Sequence, residues 1–164
     1  MDAKFRPKCD FMALLASLTL LISMLIQTGD APLADDDVFS PAEMTQLKAS
    51  NSIDRHIKIY ESASKRIQQT LLAAVEKEDF GTVPNYLKQW TTLLSTSLED
   101  IEANLKSKKK SRNLISFEIQ VRKAIADTQS LKIRAPIDQQ DAFDSCLAKA
   151  EAIRKKLVEI LFQH

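Results

Sequence analysis

The chain has 164 residues, with 23 Lys and Arg against 22 Asp and Glu, a formal net charge of +1, two glycines and two cysteines. Near-neutral charge gives no sign of a protein that binds a polyanion as a whole. Two glycines cannot supply the turns of a strand-rich fold or a Gly-rich phosphate cradle. The abundance of Ala, Leu, Lys, Glu and Gln, all good helix formers, points to an all-α fold.

Lys4, Arg6 and Lys8 precede an apolar run from Phe11 to Ile26. A basic segment followed by an apolar one is the layout of an export signal. As a helix the 16-residue run would reach about 24 Å, short of a hydrocarbon core about 30 Å thick. Residues 1–34 therefore read as a signal peptide or, alternatively, a retained N-terminal membrane anchor. A cut after Ala34 puts Pro32 where a small residue is wanted, and a cut after Ala31 leaves Pro32 as the new terminus. Either way the positive charges stay inside and the chain beyond Asp35, Asp36 and Asp37 crosses. The sequence has no N-x-S/T sequon, which points to a bacterial periplasm or cell envelope. Cys9 precedes the apolar run, so it is not a lipidation site. Cys146 is left as the only cysteine in the exported part, so a core rather than an intrachain disulfide must hold the fold.

Residues 35–52 form an acidic, polar leader with a short helix. Ser40-Pro41-Ala42-Glu43 is a capping box with proline at the first helical position. Met44 and Leu47 follow, and ASNS at 49–52 interrupts, with Ser52 as a second cap. From Ile53 the spacing of Ile57, Tyr60, Ser64, Ile67, Leu71 and Ala74 draws one stripe down a helix. Gly81 is the expected C′ residue that ends it. A second helix opens at Pro84 with Leu87, Trp90, Leu94, Leu98, Ile101 and Leu105, and Val83 and Leu93 beside the stripe. The third carries Leu114, Phe117, Val121, Ile125, Thr128 and Leu131 and stops near Arg134, because Pro136 disfavours helix at Ala135. The fourth starts near Asp138 with Phe143, Leu147, Ala150, Ile153, Leu157 and Ile160 or Leu161. Matched lengths and short connections predict an antiparallel, up-down-up-down four-helix bundle over 53–164. The joint KSKKKSR, residues 106–112, is read as a turn rather than as part of one long helix. Its adjacent like charges disfavour helix, and Ser107 or Ser111 can cap a new one.

The motifs carry little chemistry. Asp79-Phe80-Gly81 spells a kinase metal-binding triplet, but the other kinase elements are missing. Ser62-Ala63-Ser64-Lys65, like Ser107 with Lys110, has S-x-x-K spacing without the elements that make such a serine a nucleophile. His56 and His164 are the only histidines, too few with one exported cysteine for a closed zinc site. His56 falls beside the first stripe and reads as a partly exposed structural residue. Met44 and His164 have the chain positions of haem ligands in some exported bundles, which gives a haem- or small-ligand-binding bundle as an alternative. No covalent haem attachment motif occurs, and no cofactor is expected. Cys146 reads as a small buried hydrophobe, or else as an interchain disulfide. Glu118 and Arg122 have i, i+4 spacing that supports a helix.

The basic tip Lys106, Lys108, Lys109, Lys110 and Arg112 has no aromatic partner nearer than Phe117 for stacking bases, so nucleic acid is not its expected partner. A solvated loop is the plain reading, and contact with an anionic membrane surface is the functional one. The expectation is an exported protein of non-enzymatic type that acts through an unknown protein partner or by self-association. A membrane-tethered peripheral protein using residues 106–112 is a further alternative.

Overall fold

The computed structural model describes residues 38–105 and 111–162; the apolar run 11–26, residues 106–110 and His164 lie outside the described residues. The chain divides into Met1–Leu33 and Ala34–His164, and every described helix falls in the second unit. These are α1 (Pro41–Lys48), α2 (Ile53–Glu76), α3 (Val83–Asn104), α4 (Arg112–Arg134) and α5 (Gln140–Phe162), with a 3₁₀ turn at Ile137–Gln139 before α5. The described residues hold no strand. The protein is a helical bundle.

The helix ends follow local chemistry. Ser40 Oγ accepts from the Glu43 amide, and Glu43 Oε2 accepts from the Ser40 amide at 2.7 Å, so α1 opens on a complete capping box. Ser111 caps α4 by accepting from the Leu114 amide. Ser52, expected to cap α2, makes no such bond. Pro84 sits in the first turn of α3, where its missing N–H costs nothing. Ala135, ahead of Pro136, is extended and ends α4.

One helix end differs from expectation. Gly81 is not the C′ residue of α2, and its φ is not positive. The left-handed position is Glu78, at φ 58°. The Asp79 amide donates to Ala74 O at 2.9 Å and the Glu78 amide to Val75 O at 3.2 Å, the bond pair of a left-handed C-terminal cap. The core decides where the helix stops. Ala74 and Val75 are the last buried residues of α2, and the early turn brings Phe80 back against the core.

α2 packs against α3 and α4, and α5 packs against the same two. Between α2 and α4 the contacts rise together: Asp54 meets Ser111, Glu61 meets Ser116, Ser64 meets Gln120, and Gln68 meets Thr128. These two helices run parallel. Between α2 and α3 the order reverses, with His56 on Asp100 and Ser64 on Trp90. α4 and α5 are also antiparallel, with Glu118 on Arg154 and Lys132 on Asp144. Thus α3 and α4, consecutive in sequence, lie diagonally across the bundle and point in opposite directions. They do not form one continuous rod.

The core holds Ile57, Leu71, Trp90, Leu94, Phe117, Phe143 and Leu157, all fully buried. Each such side chain contributes roughly 1.5–3 kcal/mol of burial. The α5 stripe is buried as expected at Phe143, Ala150, Ile153, Leu157 and Leu161, and departs from expectation at one place. Cys146 takes the buried place, while Leu147 is only partly covered.

Candidate functional site

A polar cluster joins α2, α3 and the link between α1 and α2. His56 and Tyr60 are one turn apart on α2 and both reach Asp100 of α3. Asp100 Oδ2 accepts from Tyr60 Oη at 2.7 Å and pairs with His56 Nδ1 at 2.8 Å. Asn104 Nδ2 donates to the other carboxylate oxygen at 2.7 Å. His56 Nε2 sits 2.6 Å from the Ser50 carbonyl oxygen, in the link between α1 and α2. A carboxylate and a carbonyl are both pure acceptors, so the ring satisfies both only as imidazolium, donating from each nitrogen.

The ionisation of the cluster agrees with that geometry. Burial works against a charged His56, but the Asp100 carboxylate and the Ser50 carbonyl outweigh it and raise the imidazole above its ordinary value. Burial likewise opposes a charged Asp100, yet Tyr60 and His56 hold it below the usual carboxylate range. Burial, with the Asp100 charge added, pushes the Tyr60 phenol well upward.

A second set of contacts holds the other end of the leader. Arg66 Nη2 donates to the Val38 carbonyl at 2.9 Å and to Glu43 Oε2 at 2.8 Å, and Arg66 Nε donates to Glu43 Oε1 at 3.3 Å. Glu43 therefore caps α1 and pairs with α2 at once. Burial alone would raise its carboxyl, but Arg66 and Ser40 bring it below the ordinary value. The Phe39 ring lies 5.9 Å from that of Tyr60, tilted by 49°. Residues 38–50 thus run back along α2 as a strap.

This arrangement binds segments together. Both His56 nitrogens are engaged, so the ring offers no lone pair to a substrate proton or a metal. Tyr60 is held protonated. Cys146 is 3% exposed with its thiol pushed up to about 12, which keeps it from acting as a thiolate nucleophile. Among the described residues no group of three or more His, Cys, Asp or Glu side chains is placed to hold a metal ion. No helix among them is long and apolar enough to cross a membrane.

The residues singled out in sequence lie apart from this cluster or outside the described residues, His56 excepted. Met44 is 39% exposed on α1, outside the core, and His164, the other residue considered as a haem ligand, lies outside the described residues. Lys106, Lys108, Lys109 and Lys110 lie outside the described residues, and Arg112 is the exposed first residue of α4. Ser62 is exposed, and Lys65 pairs with Glu61 rather than with a serine. Glu118 turns to Arg154 on α5 at 3.6 Å instead of to Arg122. Trp90 is fully buried and donates from Nε1 to Ser64 Oγ at 2.9 Å. The roles of Asp100 and Arg66, and the pairing of Glu43 with Arg66 beyond its capping of α1, were not visible in the sequence. Their partners stand 44, 40 and 23 positions away, and no periodic pattern links such distances. No family model, curated protein or solved structure matches the chain.

Proposed function

We propose that this is an exported periplasmic or envelope protein of non-enzymatic type, a helical bundle that acts by binding another protein or a second copy of itself. Export rests on Lys4, Arg6 and Lys8 ahead of the apolar run 11–26. In this reading the four long helices alternate up and down and serve as a rigid carrier.

The observation that supports a binding role is the outer face of α4. Its inner stripe, from Leu114 through Leu131, is buried in the core. A second stripe faces outward: Ile115 is 38% exposed, Ile119 47% and Ile133 82%, with exposed Ala126 between. Ile119, Ala126 and Ile133 recur every seven residues, the period with which one helix packs along another. Arg122 and Gln129 fall in the intervening positions, which suits a contact that forms and dissociates better than a permanently dry seam.

A photo-crosslinking residue placed at Ile119 in the full chain tests this in cells. It should give a discrete adduct that is lost when Ile133→Asp is added, while the same probe at exposed Glu102 should give none. Absence of an adduct from positions 115, 119 and 133 alike would reject the binding role. A reporter fused after residue 164 tests export separately, and activity confined to the cytoplasm would reject it.

A further inference from the structure

We propose that the link between α1 and α2 is a pH-gated hinge, in which protonated His56 pins the strap of residues 38–50 in mildly acidic surroundings and lets it swing as the pH rises. The strap is held by few contacts. α1 buries none of its residues, and Val38, Phe39 and Leu47 reach the core only in part. Its polar ties are Arg66 to Val38 and Glu43 at one end, and His56 to the Ser50 carbonyl at the other. Only the second contains a group that titrates near neutrality.

The consequence of deprotonation follows from the two acceptors. A neutral imidazole carries one N–H and one lone pair. Whichever nitrogen gives up its proton then faces an oxygen lone pair at 2.6 Å or 2.8 Å. The hinge loses a charge-assisted hydrogen bond and gains a repulsion. The groups facing His56 do not relieve it. α3 presents Asp100, with Asn104 behind it; α2 presents Tyr60; the strap presents the backbone of Ser50 and Leu47. Arg55 and Lys58 of α2 line a neighbouring cleft with Gln46, Ala49, Ser50 and Ile59. Asp54 is engaged with Ser111 and Asn113 of α4.

The direction of the linkage is fixed. The imidazole is raised in the folded chain, so its contribution is complete below the unfolded value of about 6.5 and is lost as the pH climbs through the folded value. Asp100 is depressed, so its contribution is present above about 3.9 and is lost only as the pH falls through its lower folded value. The pinned state occupies the window between. The strap swings on its hinge while the distal tie from Arg66 to Val38 and Glu43 still restrains it.

Hydrogen–deuterium exchange of the full chain in detergent micelles, at pH 5.5 and 8.5 and corrected for intrinsic rates, tests the hinge. Peptides from 38–52 should lose protection on the order of tenfold at the higher pH, the worth of one charge-assisted hydrogen bond. Peptides from α3 should not change. In His56→Gln and in Asp100→Asn the strap should exchange equally at both pH values. Equal strap protection at both pH values in the unaltered chain would overturn the proposal. So would a pH response surviving in a His56→Gln chain whose α3 peptides stay protected. The unaltered chain decides the matter by itself if a variant fails to fold.

Discussion

Replacing Glu78 by glycine should stabilise the bundle, and replacing Gly81 by alanine should not harm it. Glu78 holds φ 58°, where an L side chain costs about 1–2 kcal/mol. Glycine removes that strain but loses about 0.5–1 kcal/mol more chain entropy on folding. Glu78 is exposed just beyond the C-terminus of α2, and removing a carboxylate there returns about 0.3 kcal/mol or more against the helix dipole. The balance is a gain of about 1 kcal/mol, or about 3–5 °C in Tm for a unit of this size. At Gly81 no positive φ is required, and an added Cβ would meet Asp79 Oδ1 at 3.9 Å, an ordinary contact. Gly81→Ala should then be neutral or gain up to about 1 kcal/mol by restricting the unfolded chain. Paired thermal and urea melts followed by circular dichroism measure both variants. A loss above about 1 kcal/mol in Gly81→Ala, with no gain in Glu78→Gly, would show that α2 closes at the glycine and that the cap described here is wrong.

Trp90→Ala should cost about 3–5 kcal/mol in the same melts, because the indole is fully buried and its N–H is bonded to Ser64. Trp90→Phe should cost less by keeping most of the volume. Cys146, with its thiol pushed from 9.0 to about 12, should react with a disulfide reagent at pH 8 about a thousandfold more slowly in the native protein than after unfolding, since only the thiolate attacks. Native labelling at the unfolded rate would place it outside the core. On the acid side, Asp100 and Glu43 are both depressed, so strap protection should hold at pH 5 and decline as the pH falls through their folded values. Glu43→Gln should remove its part of that decline in an exchange titration. Ile133→Asp should leave the melting temperature almost unchanged, within about 0.5 kcal/mol for a surface site, while weakening any association through α4.

The residues that form the core were legible because each helix buries a single face. Ile57, Trp90, Phe117 and Leu157 were all found by three-four spacing. So were Ser64 and Thr128, polar residues that stand in their stripes and are fully buried. The helix start at Ser40 was legible, and that at Ser111 was one of two candidates with Ser107, because the capping serine and its target amide are three residues apart. The end of α2 was not, because its position is set by where the core runs out and not by where a glycine occurs. The polar cluster was invisible for a different reason. His56, Asp100 and Ser50 come together only through the packing of three segments. A stripe says which face of a helix is buried but not which neighbour covers it.

The choice of neighbours can be argued from the buried polar groups. In a simple circuit each helix would pack beside the next in sequence, with α3 next to α4 and α2 next to α5. That order keeps all four stripes facing the centre, so apolar burial alone does not select against it. The polar positions do. Ser64 Oγ accepts from both Trp90 Nε1 of α3 and Gln120 Nε2 of α4, and Thr128 of α4 donates to Gln68 of α2. Each of these bonds to α4 requires it to lie beside α2. Moving α4 to the diagonal would leave fully buried Thr128 and half-buried Gln120 and Gln68 without these partners, at about 1–3 kcal/mol for a buried polar group and less for the two glutamines. It would also part Asp54 from Ser111 and Glu61 from Ser116 at the rim. Parallel packing of α2 with α4 is therefore favoured by a few polar side chains within otherwise apolar seams. The same packing turns the second apolar stripe of α4 outward, where Ile115, Ile119 and Ile133 meet solvent.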